Sequence, residues 1–178
     1  MRVLAGTYKS KKIETINSPD TRPMMSKVRE AIFNSIQFMI EEKDILDLYS
    51  GSGSLGIEAL SRGANYVTFV DFSKECIFIL KKNVENMSDN FSIVNSSVNS
   101  FIKNSINQYE LIFYDPPFEL DTEIVNEEIL IIEQILNNNG LLIIHRHKSS
   151  EEINFSKNYE LHKEKNYGQS KILILRRI

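Results

Sequence analysis

Four consecutive residues, Asp115-Pro116-Pro117-Phe118, form the segment whose residue types most clearly suggest chemistry. The Asp115 carboxylate and the Pro116 carbonyl can both accept hydrogen bonds from the exocyclic amino group of a nucleobase. Such a nitrogen is a poor nucleophile because its lone pair is delocalised, so it must be held in place by a stiff loop. Phe118 offers a ring on which the base can stack. The segment therefore predicts a pocket for an unpaired or flipped-out base.

A second segment, running from Asp47 to Gly56 with the sequence DLYSGSGSLG, has glycines at the spacing G-x-G-x-x-G. It follows a predicted strand and opens a predicted helix, where glycines allow a sharp turn and the helix offers unpaired N–H groups. Asp71 ends the next predicted strand, 20 residues after Gly51. A carboxylate there can accept both hydrogen bonds of a ribose diol. Together these residues predict a nucleoside-bearing cofactor.

Asp47 bears on the choice between two such cofactors, NAD and S-adenosylmethionine. It lies just before the glycines, where NAD sites usually have apolar residues. A carboxylate beside the cofactor tail would repel a pyrophosphate, whereas it would attract the cationic amino-acid tail of S-adenosylmethionine. The residue therefore favours S-adenosylmethionine and disfavours a nicotinamide-dependent dehydrogenase.

The elements that position these residues alternate between strand and helix along the chain. Continuous apolar strands joined by helices predict a doubly wound parallel sheet, which binds ligands beyond the carboxyl ends of its strands. The last two strands are joined only by the short segment YGQS, so they form an antiparallel hairpin at one edge. The predicted strands are 44–50, 66–71, 91–95, 109–115, 140–146, 159–165 and 171–177. The predicted helices are a stripe after a Ser26 N-cap and the ranges 54–62, 73–87, 98–105 and 122–137, the last with Glu127, Glu128 and Glu133 on a solvated face.

Composition indicates one folded domain, because 42% of the 178 residues are hydrophobic and 25% are charged. No stretch is apolar enough for a membrane span and the amino terminus lacks a signal peptide, so a cytoplasmic protein is expected. The single cysteine, Cys76, excludes an internal disulfide and a zinc site built from several thiolates. His145 and His147 share one face of a strand, but no third ligand is evident and no metal site is predicted. Contact with RNA phosphate is the alternative for this pair.

The charge distribution is more informative than the net charge of −3. Residues 1–29 carry a net charge of +5 and residues 157–178 carry +4, while the segment between them carries −12. If the two basic ends meet on one face, they form a rim suited to phosphate. We expect a basic amino-terminal hairpin or arm over 1–25 and a catalytic domain over 26–178.

These motifs resemble those of the bacterial 16S ribosomal RNA guanine-N2 methyltransferases (RsmD-like), which modify guanine 966 of the small-subunit RNA. The likeness covers nearly the whole chain, and the segment ahead of the glycine loop is its most specific part. The matching stretches are R-V-L-A-G (2–6), T-R-P (21–23), V-R-E-A-I-F-N (28–34), DLYSGSGSLGIEALSRGA (47–64), D-P-P-F (115–118) and Y-G (167–168).

The resemblance implies a class I methyltransferase fold, a Rossmann-like α/β domain with a seven-stranded, mostly parallel sheet and a carboxyl-terminal antiparallel hairpin. It implies S-adenosylmethionine as methyl donor, S-adenosylhomocysteine as product and no metal. The implied catalytic residues are Asp115, Pro116, Pro117 and Phe118. The implied cofactor-binding residues are Asp47, Tyr49, Ser50, Gly51, Gly53, Asp71, Phe72, Ser97 and Val98. The RNA-binding residues suggested by the resemblance and the charge pattern are Arg2, Lys9, Lys11, Lys12, Arg22, Arg29 and Tyr167.

The chain departs from the family pattern at three places. Met24 stands where threonine is usual, and Ser97 stands where an aspartate or asparagine often lies beside the adenine. The run His145-Arg146-His147 stands at the end of the fifth strand, where an acidic residue is common.

The expected reaction is methyl transfer to the N2 atom of a guanine in 16S ribosomal RNA, with no covalent enzyme intermediate. The substrate is expected within a small ribosomal subunit or an assembly intermediate, and the protein is expected to be a monomer. The main alternative is a DNA adenine-N6 methyltransferase, because adenine presents the same kind of amino group. The segments 72–114 and 119–156 leave no room for the added target-recognition region that such enzymes usually carry. A non-catalytic RNA-binding module is the third possibility, although it would have no need of the D-P-P-F loop.

Overall fold

The computed structural model describes residues 1–16 and 24–178, so the predicted contact residue Arg22 lies outside the described residues. Strands and helices alternate, as the sequence predicts, with small shifts at the element ends. The elements are α1 (Ser26–Ile36), β1 (Asp44–Leu48), α2 (Ser54–Ser61), β2 (Tyr66–Asp71), α3 (Lys74–Val84), β3 (Phe91–Asn95), α4 (Val98–Asn104), β4 (Tyr109–Tyr114), α5 (Thr122–Ile135), β5 (Leu136–His147), β6 (Tyr159–Tyr167) and β7 (Ser170–Arg177).

All seven strands form one sheet in the order β3-β2-β1-β4-β5-β7-β6. Strands β1 to β5 are parallel, whereas β7 runs antiparallel to both β5 and β6. The predicted α/β fold with a carboxyl-terminal antiparallel hairpin is thereby confirmed. The order reverses between β1 and β4, which is where such sheets bind ligands.

Apolar side chains cover both faces of the sheet. Helices α1, α2 and α3 pack on one face, for example through Phe33, which lies 5.6 Å from Phe113 between ring centroids. Helices α4 and α5 pack on the other face through residues such as Ile102 and Ile129. Burial on both faces explains why the parallel strands are apolar at nearly every position.

Gly53, which caps α2, and Gly56, in its first turn, allow this helix to pack closely against α3 and the sheet. A Cβ at Gly56 would stand 2.2 Å from the ring of Phe69, and one at Gly53 would stand 2.2 Å from Leu80. Gly53 also has a φ of +82°, which a side chain would strain. The spacing of the motif is therefore partly a packing requirement.

The first residues form a narrow hairpin closed by a single bridge between Arg2 and Lys12. Its inward side chains, Val3 and Ile13, are buried in the same core as helices α1 to α3. Glu58 of α2 accepts hydrogen bonds from the N–H groups of Leu4 (2.7 Å) and Ala5 (3.1 Å). The hairpin is therefore docked on α2 rather than extended into solvent.

Two details of the sequence interpretation are wrong. Ser26 is the first helical residue of α1; the N-cap is Met25, whose extended backbone brings no side-chain cap bond. Glu128 is only 1% exposed, not solvated, because α5 turns it toward Tyr49 and Tyr114. No helix of residues 1–16 and 24–178 has the length and apolarity to span a membrane.

Candidate active site

The carboxyl ends of three adjacent strands bring the predicted acidic residues together. Strand β1 lies between β2 and β4, and β4 lies between β1 and β5. Asp47 lies near the end of β1, Asp71 ends β2 and Asp115 follows β4. The opposite ends of these strands carry none of the motifs, so the candidate site lies along this single edge.

Asp71 shapes the glycine loop with its carboxylate. Its Oδ2 accepts a hydrogen bond from the N–H of Gly51 (2.8 Å), and its Oδ1 accepts one from the N–H of Ser73 (2.9 Å). The side chain is only 7% exposed. Because each carboxylate oxygen can accept two hydrogen bonds, the group can still receive a diol while it holds the loop.

Asp47 lies below the same loop and is almost fully buried. Burial raises the pKa of its carboxyl well above the usual range, and the negative charges of Asp115 and Asp71 raise it further. The hydrogen bond from the N–H of Gly56 (2.9 Å) opposes this shift. A cation bound nearby would therefore gain a strong attraction to this group once it ionises.

The loop itself leaves room for a ligand at Gly51. This residue has a φ of +54°, and nothing lies within 4 Å of the place where its Cβ would stand. The adjacent Ser50 is buried, and its hydroxyl has no hydrogen-bond partner among the residues that the structure describes. An open backbone beside an unpaired buried hydroxyl is the arrangement expected of a binding loop.

Tyr49 is directed away from that opening. Its hydroxyl donates to Glu128 (3.0 Å), which also accepts from Tyr114 (2.6 Å). Burial raises the pKa of Glu128, and the two tyrosine hydrogen bonds oppose this shift. The hydroxyl of Tyr49 is thus engaged in the interior, which leaves its backbone and ring for any cofactor contact.

The other predicted cofactor residues lie beside β2 and β3. Phe72 directly follows Asp71 and is 69% exposed, which is unusual for a large aromatic side chain. Ser97 is the N-cap of α4 and accepts a hydrogen bond from the N–H of Ser100 (3.2 Å), while Val98 is buried. An apolar face thus lies beside the Asp71 carboxylate.

The D-P-P-F loop is held by residues of β5 that the sequence analysis did not assign to it. His145 Nδ1 lies 2.7 Å from Asp115 Oδ1, and the His145 ring packs edge-on against Phe118 at 5.2 Å between centroids. Arg146 donates to the carbonyls of Pro117 (3.1 Å) and Leu120 (2.8 Å). The unusual basic run at 145–147 was the signal that could have indicated this role.

The predicted RNA-binding residues do not share one environment. Arg2, Lys9 and Lys12 are exposed on the hairpin, and Lys11 donates to the carbonyl of Glu85 (3.0 Å). The hairpin is hydrogen-bonded to α2 and α3, whereas β6 and β7 lie at the edge of the sheet opposite β3. Tyr167, at the end of β6, is partly buried against the core.

Arg29 is the one predicted contact residue that the structure places in the interior. Its side chain is fully buried, donates to the carbonyl of Arg2 and lies 3.9 Å from the Glu58 carboxylate. Burial lowers the pKa of this guanidinium, and Glu58 opposes the shift. The prediction that Arg29 contacts RNA phosphate directly is therefore wrong, and we assign this residue a structural role. The signal was present, since Arg29 falls at helical spacing from the apolar residues Ile32 and Ile36.

Among residues 1–16 and 24–178, no three histidine, cysteine, aspartate or glutamate side chains are grouped as metal ligands would be.

Comparison with known proteins now adds to this geometry. Residues 1–176 match a family model described as conserved hypothetical protein 95. The ribosomal RNA small subunit methyltransferase D of Haemophilus influenzae is 34% identical over 94% of this chain and 89% of its own length. The Escherichia coli protein of the same name is 31% identical over 95% of this chain and 86% of its own. The chain belongs to this family.

The fold comparison agrees with membership of the ribosomal RNA small subunit methyltransferase D family. A solved Escherichia coli structure, described as a candidate methyltransferase, superimposes with a TM-score of 0.89 at 28% identity. The alignment covers 99% of this chain and 97% of the other. The hairpin and the carboxyl-terminal strands are therefore part of the family fold.

Proposed function

We propose that this protein transfers a methyl group from S-adenosylmethionine to the exocyclic N2 of a guanine in 16S ribosomal RNA, guanine 966 by family resemblance. The observation that carries the proposal is the position of the loop Asp115–Phe118, at the end of β4 beside the glycine loop of β1. The relatives named for ribosomal RNA methylation support the substrate class.

The residues present fit S-adenosylmethionine. Asp71 would hold its ribose, the open backbone at Gly51 and the unpaired hydroxyl of Ser50 would lie along its tail, and Asp47 would attract its ammonium group. When bound, the cofactor supplies a methyl group on a cationic sulfur. Phe72 offers an exposed apolar face for the adenine.

The residues of the D-P-P-F loop would prepare the acceptor. Asp115 and the carbonyl of Pro116 would accept hydrogen bonds from the two amino hydrogens, and Phe118 would stack on the guanine. Holding the amino nitrogen in this way restricts its orientation before reaction, which is a large part of what a positioning enzyme contributes. The nitrogen sheds one proton after transfer, and Asp115 or water receives it.

A substrate in ribosomal RNA would place the protein in the cytoplasm and would explain the basic hairpin. The exposed Arg2, Lys9 and Lys12 could contact phosphate without reading sequence, so that the folded RNA itself supplies recognition. We expect a ribosomal subunit or an assembly intermediate as the physical partner.

The decisive experiment is methyl transfer from labelled S-adenosylmethionine to three acceptors, with identification of the modified nucleoside. The acceptors are small subunits from cells that lack this activity, protein-free 16S RNA and DNA. We expect N2-methylguanosine in the subunit RNA, and a sharp loss of turnover in Asp115→Ala with nearly normal cofactor binding. Label in DNA adenine would replace the substrate proposal with the adenine-N6 alternative. Cofactor binding without label in any acceptor would contradict the proposed substrates.

A further inference from the structure

Three side chains from different parts of the fold form a continuous hydrogen-bonded series that ends in the D-P-P-F loop. Asp115 Oδ1 lies 2.7 Å from Nδ1 of His145, and Nε2 of His145 lies 2.8 Å from the hydroxyl oxygen of Ser170. His145 belongs to β5 and Ser170 begins β7, which pair antiparallel. The series therefore exists only because the terminal hairpin closes against β5.

For an ionised Asp115 and a neutral His145, the chemistry of the three groups gives each hydrogen bond one direction. An ionised carboxylate only accepts, so Nδ1 of His145 carries a hydrogen and donates it to Asp115. In a neutral imidazole the other nitrogen then accepts, so the Ser170 hydroxyl donates to Nε2. The acceptor-only carboxylate of Asp115 therefore selects the tautomer of His145, and the Ser170 hydroxyl, which can donate or accept, bonds the other ring nitrogen.

The three side chains of this series differ in how far they are exposed to solvent. The side chain of His145 is 7% exposed, and Ser170 is buried, whereas the side chain of Asp115 retains 27% exposure. The carboxylate is therefore the member that reaches the open edge of the sheet. Since Oδ1 is held by His145, Oδ2 is the oxygen with more acceptor capacity left for a ligand.

We propose that His145 is a positioning residue for Asp115, which acts by holding Oδ1 so that Oδ2 faces the amino group of the substrate base, and that Ser170 anchors the other side of the imidazole ring. The proposal rests on the proposed function, because it assigns Asp115 the role of amino-group acceptor. The same ring packs against Phe118, so one histidine orients both the acceptor and the stacking residue. No proton needs to pass through His145 for this role.

The variants that test the proposal separate the hydrogen bond from the bulk of the ring. His145→Leu removes the donor and keeps an apolar side chain. His145→Asn retains an amide N–H close to where Nδ1 lies. Ser170→Ala leaves the ring but removes the hydroxyl that anchors Nε2. His162→Leu is the matched control, because this histidine is exposed on β6.

We expect His145→Leu to lower kcat for methyl transfer by about 30-fold, with KM for RNA and Kd for S-adenosylmethionine within about twofold of the wild type. His145→Asn should recover kcat to within about fivefold of the wild type, since it restores the donor, and Ser170→Ala should lower kcat by about three- to tenfold. His162→Leu should change nothing. An unaltered kcat in His145→Leu, or an equal loss in His145→Asn with both proteins folded, would overturn the proposal.

A spectroscopic measurement keeps the positioning proposal separate from the proposed function. The chain has three histidines, so nitrogen-15 NMR can assign each imidazole with the single variants. We expect His145 with hydrogen on Nδ1, and a changed Nδ1 signal in Asp115→Ala. Hydrogen on Nε2 in the wild type would overturn the proposal even where methyl transfer is confirmed. The expected tautomer without methyl transfer to any RNA would overturn only the proposed function.

Discussion

The carboxylate of Asp71 accepts a hydrogen bond from the N–H of Gly51 at 2.8 Å, so this carboxylate and the glycine loop are one connected unit. A second hydrogen bond, from the N–H of Ser73, ties the same carboxylate to the start of α3. The group that would bind the cofactor therefore also sets the conformation of the loop beside it.

This connection predicts that Asp71→Ala weakens the binding of S-adenosylmethionine by more than tenfold, or at least about 1.4 kcal/mol. The loss combines the missing ribose acceptor with a less ordered loop, because the N–H of Gly51 loses its partner. Isothermal titration calorimetry measures the Kd. Asp44→Asn is the control, since Asp44 lies at the other end of β1. A Kd equal to that of the wild type would exclude the ribose role of Asp71.

We expect the buried carboxyl of Asp47 to lower the stability of the protein and to strengthen cofactor binding. Because burial raises the pKa of this carboxyl, the folded protein keeps the proton to higher pH than the unfolded chain does. The free energy of unfolding therefore falls as the pH rises from the ordinary carboxyl pKa to the raised value, and it stays low above that value. Asp47→Asn removes this loss of stability and keeps an oxygen to accept from Gly56. We expect the cofactor-free variant to melt several degrees higher than the wild type at neutral pH, and the difference to shrink as the pH falls below the raised pKa.

The same variant should bind S-adenosylmethionine more weakly, because the attraction to the ammonium group is lost. Thermal melting from pH 5 to pH 8, with and without cofactor, measures both effects. A lower melting temperature in cofactor-free Asp47→Asn at neutral pH would contradict the assigned cause.

We expect a substitution of Glu128 to lower the stability of the fold. Glu128→Ala leaves the hydroxyls of Tyr49 and Tyr114 buried without their acceptor, and we expect a loss of about 2 to 4 kcal/mol in the free energy of unfolding. Chemical denaturation measures this loss. Glu127→Ala, on the exposed side of the same helix, should change stability by less than about 0.5 kcal/mol. Equal effects of the two substitutions would show that Glu128 is not buried as described.

We expect a substitution of Arg29 to lower the stability of the fold, although the sequence predicts an RNA contact for this residue. Arg29→Met removes the hydrogen bond to the carbonyl of Arg2 and the ion pair with Glu58, while Glu58 keeps Arg62 at 2.8 Å. We expect a loss of about 3 kcal/mol, at the lower end of what breaking a buried pair costs.

RNA affinity provides the complementary measurement. The salt dependence of RNA binding should be unchanged in Arg29→Met, whereas Lys12→Met should reduce its slope, because only exposed cations displace counterions. A reduced slope in Arg29→Met with unchanged stability would restore the original assignment.

The strands and the two main motifs could be predicted because their signals are local. Apolar runs define β1 to β5, and the D-P-P-F loop and the glycine loop each lie within ten residues. The burial of Glu128 could not be predicted, since Tyr49 lies 79 residues away in sequence. The pairing of His145 with Ser170 likewise depends on the register of β5 with β7, which periodicity does not determine.

The end of β5 makes hydrogen bonds to the D-P-P-F loop on both faces of the sheet, because consecutive strand residues point in opposite directions. His145 holds Asp115 on one side, and Arg146 holds the carbonyls of Pro117 and Leu120 on the other. These hydrogen bonds restrain the D-P-P-F loop from moving aside when a base enters. In the proposed reaction, the conformational change is therefore made by the RNA, which must flip the guanine out of its stack. A guanine that unstacks easily in the folded RNA is then the preferred substrate.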